Sequence, residues 1–593
     1  LTKYKKYYYF SEIKQNENYG KAYVKKTKGG KPHCYFNPEK LSKNKKQFTI
    51  GSPIISYDES YLLYSVDYTG DRKYTLYLKK LFSHKSEKLF QYQISNDYLF
   101  HLNNHSFYYL KLNHKIRPYQ LYLYDFLTKK NTMIYEETNE EYSLSLSLST
   151  DEQVIFLYSS AYEHDNVYQI DDTDLLELLI QKRKNEYQID HYQNKFYLLT
   201  NENQKINFEL YESENLYQWK CISKHSLSTY IESFFIWYDS IFLSIRENGF
   251  PLLLQMNLQN YKTNEIKFPL HFYSYGFISN LNPSYHKLKI SYSSFSQSRI
   301  IYEYNLKTNQ LHIIENKKLK NYDPKNYKEG YLKIGKLIVT YIYRKDKIKL
   351  DGTQSHPCYL YGYGSYGVID DPTFDKYTMS LVDRGYLYCI ANLRGSKFYG
   401  PKWYHEGKYL KKKNTFKDFQ TIAQYLIHQN YTSPDKLVVE GGSAGGLLIG
   451  SCINMNPSLY HVAVLRVPYV DCLTTLLNPD LPLTIGEYNE WGNPGKYKTY
   501  YDYILSYSPY DNIDLKKQYP HIYIDTGLHD SQVIFHEPLK YYAKLTHNQH
   551  FQQNTRTLLF NIRTQSGHSG SSKRYQQIID ETQVLTFILK QNK

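Results

Sequence analysis

The chain has 593 residues, 41% of them hydrophobic, which is enough for two or more domains with substantial cores. Its formal net charge is +15, but Lys and Arg are spread along the whole chain and no nucleic-acid-binding motif accompanies them. Nothing approaches the run of about 20 apolar residues that a membrane span requires, so neither a nucleic acid nor a membrane is expected as a partner.

The six cysteines are widely spaced and form no Cys-x-x-Cys pair, which predicts reduced thiols in a cytoplasmic protein. His536 and Glu537 lack the second histidine of a His-Glu-x-x-His zinc motif. No phosphate-binding or dinucleotide-binding loop is present either. The sequence therefore predicts neither a metal site nor a cofactor.

Short strands rich in Tyr, Leu, Ile and Phe repeat through the first half of the chain. One unit covers residues 56–78, and similar units begin near Ser149, Asp190 and Asn282. A period of about 40–45 residues is typical of propeller blades. At that size, this half has room for about six or seven blades.

A glycine-rich turn follows a short apolar run in the second half. Residues 359–362 indicate a strand, which breaks into Tyr-Gly-Ser-Tyr-Gly at residues 363–367. Such a turn can present the Tyr363 hydroxyl as a hydrogen-bond donor to an anionic intermediate. The alternative is that these tyrosines only pack, since the chain contains 70 of them.

The most specific motif is Gly-Gly-Ser-Ala-Gly-Gly at residues 441–446, between a β-branched run and an apolar helical segment. A strand, a Gly-x-Ser-x-Gly turn and a helix are the context of a nucleophile elbow. The elbow presents Ser443 as a nucleophile, and the backbone N–H of Ala444 becomes one oxyanion donor. A lone motif of this kind is also compatible with an ordinary turn.

An elbow serine requires a base and a group that orients the base, in the chain order Ser, Asp or Glu, His. Residues 521–525 indicate a strand, and Asp530 lies in the loop after it. Residues 557–562 indicate another strand, and His568 follows in a loop of small residues. Each residue alone has an ordinary explanation, such as a helix cap for Asp530. In this order at predicted strand ends, they predict a catalytic triad.

Several long stretches of the second half resemble the prolyl oligopeptidase family of serine peptidases, and most closely its oligopeptidase B branch. The matching stretches are residues 361–367, 411–416, 441–446, 486–487, 490–494, 508–512 and 526–533. The resemblance implies that Ser443, Asp530 and His568 form the triad. It also implies that Tyr363 and the Ala444 N–H form the oxyanion hole.

The resemblance implies an α/β-hydrolase catalytic domain at the C-terminal end and an all-β, seven-bladed propeller at the N-terminal end. We assign residues 1–320 to the propeller and 321–593 to the peptidase domain. The propeller would cover the active site and admit only short peptides. In the family a further segment precedes the propeller, and we expect it to be missing from this chain.

Family members of this branch cleave after Lys or Arg, and acidic residues meet the basic side chains of the substrate. This chain keeps Glu487 for the residue before the scissile bond, called P1, but has Asn489 where the family has a second glutamate. For the preceding residue, P2, Asp371 matches one family acid and Thr373 replaces the other. We therefore predict cleavage of short basic peptides with a reduced preference for basic pairs.

The sequence is also compatible with two other functions. Asn489 and Thr373 are compatible with a related serine peptidase or acyl hydrolase that prefers another P1 residue. An inactive propeller–hydrolase scaffold is the second alternative, although every triad and oxyanion position holds a working residue. The sequence leaves the oligomeric state open.

Overall fold

The computed structural model describes residues 1–592 except 162, 172, 174–175, 184–185, 203–205, 225–227 and 279–282. Asn282, where one propeller unit is predicted to begin, lies outside the described residues. The first 316 residues form antiparallel sheets, and the rest build one mixed sheet flanked by helices. None of the helices in the described part combines the length and hydropathy that crossing a membrane requires.

Five of the N-terminal sheets have four antiparallel strands each. The first sheet contains β1 (Thr2–Lys3), β2 (Tyr8–Glu12), β3 (Lys21–Lys25) and β4 (His33–Phe36), and α1 (Pro38–Leu41) follows it. The remaining N-terminal sheet, which is second along the chain, has eight strands: β5 (Thr49–Ile50), β6 (Ile54–Ile55), β7 (Tyr61–Asp67), β8 (Tyr74–Lys80), β9 (Glu87–Phe100), β10 (Ser106–Leu112), β11 (Pro118–Asp125) and β12 (Asn131–Glu136).

The next two four-stranded sheets contain β13 (Ser143–Leu148), β14 (Ile155–Ala161), β15 (His164–Ile170) and β16 (Leu176–Arg183), then β17 (Tyr187–Tyr192), β18 (Lys195–Thr200), β19 (Glu209–Ser213) and β20 (Lys220–Ser223). The last two contain β21 (Thr229–Trp237), β22 (Ser240–Glu247), β23 (Phe250–Asn257) and β24 (Thr263–Glu265), then β25 (Ser274–Phe277), β26 (Lys287–Ser293), β27 (Ile300–Asn305) and β28 (Gln310–Asn316).

Neighbouring sheets share apolar clusters, which is how the blades of a propeller bury their faces. Lys289 of the last sheet donates to the Thr2 hydroxyl of the first at 3.0 Å, so the ring closes between the two ends of this region. Five predicted blades are present as separate four-stranded sheets. The eight-stranded sheet is continuous because the 14-residue β9 pairs with β8 through its first half and with β10 through its second.

The C-terminal sheet has eight strands in the order β29-β30-β32-β31-β33-β34-β35-β36. They are β29 (Tyr327–Ile334), β30 (Leu337–Arg344), β31 (Cys358–Gly362), β32 (Leu387–Asn392), β33 (Leu437–Gly442), β34 (Val462–Arg466), β35 (His521–Gly527) and β36 (Leu558–Arg563). From β32 onward neighbouring strands are parallel, so loops carrying Ser443, Asp530 and His568 emerge at one edge. The strands predicted around these residues are confirmed.

Helices cover both faces of this sheet. They are α2 (Lys376–Val382), α3 (Pro401–His405), α4 (Lys413–His428), α5 (Ala444–Met455), α6 (Cys472–Leu476), α7 (Thr484–Trp491), α8 (Lys498–Leu505), α9 (His536–Leu545), α10 (Gln549–Gln552) and α11 (Arg574–Gln591). The larger core packs α4 and α5 against one face, and α2 and α11 cover the other. Both faces being covered explains why β33 and β34 are almost entirely apolar.

Candidate active site

Ser443 occupies a strained turn between β33 and α5, with φ 54° and ψ −119°. Its backbone N–H donates to Arg466 O at 2.9 Å, and its carbonyl accepts from Tyr469 N at 3.0 Å. A Cβ added to Gly441 would lie 2.2 Å from Gly445 O, so the close approach of the backbone requires glycine there. The structure thus shows a nucleophile-elbow geometry at the predicted position.

Asp530 and His568 are brought together from two loops. His568 Nδ1 lies 2.7 Å from Asp530 Oδ2, and the other carboxylate oxygen accepts from the backbone N–H groups of Gln532 and Val533 at 2.8 and 2.9 Å. The Asp530 side chain is fully buried, whereas the His568 ring is 17% exposed. With Nδ1 facing the carboxylate, Nε2 is the ring nitrogen left for proton exchange.

A cavity of about 500 Å³ collects the predicted groups in one place. Its lining includes Ser443, Ala444, His568, Tyr363 and Glu487. The described residues offer no group of three His, Cys, Asp or Glu side chains placed to hold a metal ion. What the cavity offers is a nucleophile, a histidine and hydrogen-bond donors, which suits acyl transfer.

The two predicted oxyanion donors flank Ser443. Ala444 is the first residue of α5, so its N–H has no acceptor within the helix. Burial raises the pKa of the Tyr363 phenol well above its usual range, and the nearby Ser443 side chain partly offsets this. Tyr363 therefore keeps its proton at neutral pH and can donate a hydrogen bond.

Glu487 lies on α7 and is the acid within the cavity. Its Oε2 accepts from the Tyr366 hydroxyl at 2.6 Å and from Trp491 Nε1 at 2.8 Å. Burial raises the pKa of Glu487 to about 7, against the opposing effect of these two hydrogen bonds, and the charge of Glu490 adds to the rise. The carboxyl is therefore poised to ionise when a cation enters the cavity.

The other three predicted substrate-binding residues lie elsewhere. Asp371 forms a bidentate ion pair with Arg246 of the propeller, whose Nη1 is 2.8 Å from Asp371 Oδ1. Asn489 donates within its own helix to Gly486 O at 3.4 Å, and Thr373 is exposed and donates to Ser293 Oγ at 3.4 Å. None of the three lines the cavity that contains Ser443 and His568.

A second cavity of about 690 Å³ lies between the propeller and the catalytic domain. It shares Leu483, Glu487 and Gln532 with the first cavity, so the two cavities adjoin at the acid. Its propeller wall carries charges of both signs, from Arg72, Lys115, Arg117, Glu140 and Glu141. The space beyond Glu487 is therefore bounded by the propeller.

One propeller turn reaches the loops that carry Asp530 and His568. Arg72 Nε donates to Ser531 Oγ at 3.2 Å, beside Asp530. A Cβ added to Gly567 would lie 1.9 Å from Gly70 O, which shows how closely the two backbones meet. Sequence reasoning missed this contact, because the turn residues carry only a hairpin signal in the sequence.

Comparisons with known proteins agree in both halves of the chain. Residues 372–593 match the model described as "Prolyl oligopeptidase family", and residues 1–317 match "Prolyl oligopeptidase, N-terminal beta-propeller domain". Dipeptidyl aminopeptidase BI of Pseudoxanthomonas mexicana is 31% identical over 93% of this chain and 77% of its own length.

Two further relatives cover nearly the whole chain. Protease 2 of Moraxella lacunata is 30% identical over 98% of this chain and 86% of its own length. The structure of oligopeptidase B from Leishmania major superposes with a TM-score of 0.92 at 26% identity, covering 100% of this chain and 86% of that one.

Proposed function

Because the chain belongs to the prolyl oligopeptidase family and is thus a serine-type peptidase, we propose that it hydrolyses short peptides on the carboxyl side of Lys or Arg. The observation that carries the proposal is that Ser443, His568 and Glu487 line the same cavity. The Ser443 hydroxyl and the His568 ring beside one buried acid support the roles of nucleophile, base and P1 selector.

In the proposed reaction Ser443 Oγ attacks the scissile carbonyl carbon while His568 Nε2 takes the hydroxyl proton. The Tyr363 hydroxyl and the Ala444 N–H donate to the developing oxyanion. The C–N bond then breaks, and the imidazolium returns the proton to the leaving amine. Water hydrolyses the acyl-enzyme by the same proton route. The 2.7 Å contact with Asp530 supports its role in orienting the ring.

Glu487 would select the P1 side chain. Its carboxylate can form charge-assisted hydrogen bonds with a Lys ammonium or an Arg guanidinium, which are stronger than neutral ones. Asn489 stays a prediction for the P1 pocket, and Asp371 and Thr373 stay predictions for P2. The Arg246 ion pair already engages Asp371. We therefore expect a basic P1 preference that rests on one acid, with little added by a basic P2 residue.

The propeller would act as a filter for substrate size. We propose that the eight-stranded sheet corresponds to two blades joined by β9, which makes seven with the five separate ones. The propeller wall of the 690 Å³ cavity supports access restricted to short peptides.

A second candidate is a related serine peptidase with another P1 preference. It is favoured by Asn489, which stands where the family has the second P1 glutamate, so that Glu487 is the one acid among the described residues lining the cavity. Hydrolysis of reporter peptides with Arg, Lys, Phe or Pro at P1 separates the candidates. We expect Arg and Lys to lead, and equal or faster cleavage after Phe or Pro would reject the basic preference. Comparing Arg-Arg with Ala-Arg peptides tests P2, where a strong dibasic preference contradicts the proposal.

Labelling with a fluorophosphonate probe tests whether the enzyme is active through Ser443. We expect labelling of the full chain that disappears in Ser443→Ala and persists in Ser458→Ala, an exposed serine just after α5. Labelling that survives Ser443→Ala would reject the proposed nucleophile. A folded protein that is neither labelled nor hydrolytic would support the inactive scaffold.

A further inference from the structure

Lys412 is buried to 99% of its surface and directly precedes α4. Burying an ammonium is costly, and a cation at a helix N-terminus also faces the positive end of the helix dipole. Burial lowers the pKa of Lys412 to about 8, with Glu490 acting in the opposite direction. A lysine retained under both penalties is expected to make contacts that outweigh them.

The Lys412 ammonium contacts the turn that follows β31. Nζ donates to Gly364 O at 2.7 Å and to Ser365 Oγ at 2.6 Å. It also lies 5.0 Å from the centre of the Trp491 ring, within the range of a cation–π contact. The cation thus joins the start of α4 to the 363–366 turn and to α7.

Glu490 contacts the same turn. It is fully buried, and its Oε1 accepts from the Tyr366 backbone N–H at 3.1 Å. Its Oε2 accepts from the Tyr404 hydroxyl. Tyr366 has φ 57°, a left-handed conformation that side chains other than glycine adopt at a cost. The buried contacts with Glu490 and Lys412 offset that strain.

The turn carries groups for both parts of the proposed reaction. Tyr363, at its start, would donate to the oxyanion, and Tyr366, at its end, donates to Glu487 at 2.6 Å. We propose that Lys412 and Glu490 are positioning residues that fix the 363–366 turn, so that the oxyanion donor and the acid that reads P1 are set together. This inference rests on the proposed function of Ser443, Tyr363 and Glu487.

A double-mutant cycle between Lys412 and Tyr363 tests the inference. Removing one oxyanion donor typically costs about 100-fold in kcat, and we expect this of Tyr363→Phe. Lys412→Met keeps the length of the side chain but removes the donor. We expect it to lower kcat about 10- to 100-fold, with little change in KM for a peptide with Phe at P1. In the double variant, kcat should stay within about threefold of Tyr363→Phe alone.

Lys411→Met is the matched control, because the neighbouring lysine is 54% exposed and forms its ion pair with Glu406 at the surface. We expect its kcat to equal that of the wild type. A folded Lys412→Met enzyme with unchanged kcat would overturn the proposal. A double variant whose fold loss in kcat equals the product of the two single losses would overturn it as well. Thermal unfolding of each variant establishes that it is folded.

If Lys412→Met does not fold, the same cycle is run with Glu490→Gln. The amide oxygen still accepts from Tyr366 N, but the charge opposite Lys412 is lost. The cycle uses any peptide that the wild type cleaves, so a wrong P1 assignment does not affect it. If the wild type is neither labelled nor hydrolytic, the proposed function fails and the inference fails with it. An active wild type with a non-coupled cycle rejects the inference alone.

Discussion

Two loops flank Ser443, and they are held in different ways. The 363–366 turn is fixed inside the catalytic domain by the buried side chains of Lys412 and Glu490. The loop of residues 566–572, which carries His568, is instead contacted by the propeller. The turn with the proposed oxyanion donor is therefore held by one domain, whereas the loop with the proposed base is held by two.

The difference lies in the kind of contact as well as its origin. Buried charges hold the 363–366 turn, and breaking them leaves groups that water cannot reach. The His568 loop is held by a backbone approach at Gly70 and by hydrogen bonds of the half-buried Ser572. Changes in the propeller contact should therefore act on the proton-transfer step and leave P1 selection intact.

The largest effect is expected from Gly567→Ala. The new Cβ would meet Gly70 O at 1.9 Å, so the His568 loop or the propeller turn must move. A displacement of about 1 Å at a catalytic group can cost about 100-fold, and we expect such a loss of kcat with both basic and neutral P1 residues.

Gly495→Ala is the control, because its Cβ would lie 3.4 Å from the nearest atom, Asn493 Oδ1. Steady-state kinetics on Arg-P1 and Phe-P1 peptides measures both variants. A loss confined to Arg-P1 peptides would show that the propeller contact also serves P1 selection, against the comparison.

A smaller effect, on selection alone, is expected from Glu487→Gln. The amide oxygen can still accept from Tyr366 and Trp491, so the 363–366 turn should keep its position. A hydrogen bond to a charged group contributes about 1.5–3 kcal/mol, so kcat/KM for Arg-P1 peptides should fall about 30-fold. The value for Phe-P1 peptides should stay within about threefold of wild type. Equal losses for both substrates would mean that Glu487 supports the turn and does not select P1.

The ionisation of Glu487 predicts a pH dependence of selectivity. Burial raises the pKa to about 7, so the carboxyl is mostly protonated at pH 6 and mostly ionised at pH 8. A cationic side chain gains only from the ionised form, so the ratio of kcat/KM for Arg-P1 over Phe-P1 peptides should rise about tenfold across this range. The ratio cancels ionisations common to both substrates. It should be flat in Glu487→Gln, and a rise that persists in this variant would assign the ionisation to another group.

The smallest effect is expected from Ser572→Ala. Ser572 Oγ accepts from Phe48 N at 3.2 Å and donates to Gln47 Oε1 at 3.0 Å. Each half-buried hydrogen bond contributes about 1 kcal/mol, so kcat should fall about three- to tenfold without a change in P1 selectivity. Ser569→Ala, an exposed serine in the same loop, is the matched control and should match the wild type. Equal kcat for the two variants would show that the Ser572 contact does not hold the base.

The parts of this protein that depend on local geometry could be predicted from its residues alone. A sharp strand-to-helix turn requires glycines around Ser443, and Asp530 and His568 each follow the end of a strand. The motif and the chain order were therefore sufficient to predict that these three residues lie at one edge of the sheet. Alternating apolar residues likewise indicated propeller strands. The number of blades did not follow from them, because strand periodicity does not reveal that β9 serves two parts of one sheet.

The partners of the charged groups, in contrast, depend on how the chain folds in three dimensions. Asp371 occupies a sequence position where the family has an acidic residue. Its partner in the structure is Arg246, which lies 125 residues away on the propeller. Lys412 reads as one of three consecutive lysines, and its burial against Gly364 follows from the packing of α4 beside β31. The backbones of Gly70 and Gly567 approach closely where the propeller contacts the catalytic domain. A charge or a glycine carries no local signal of a distant partner, because its energy depends on which groups the fold brings within a few ångströms.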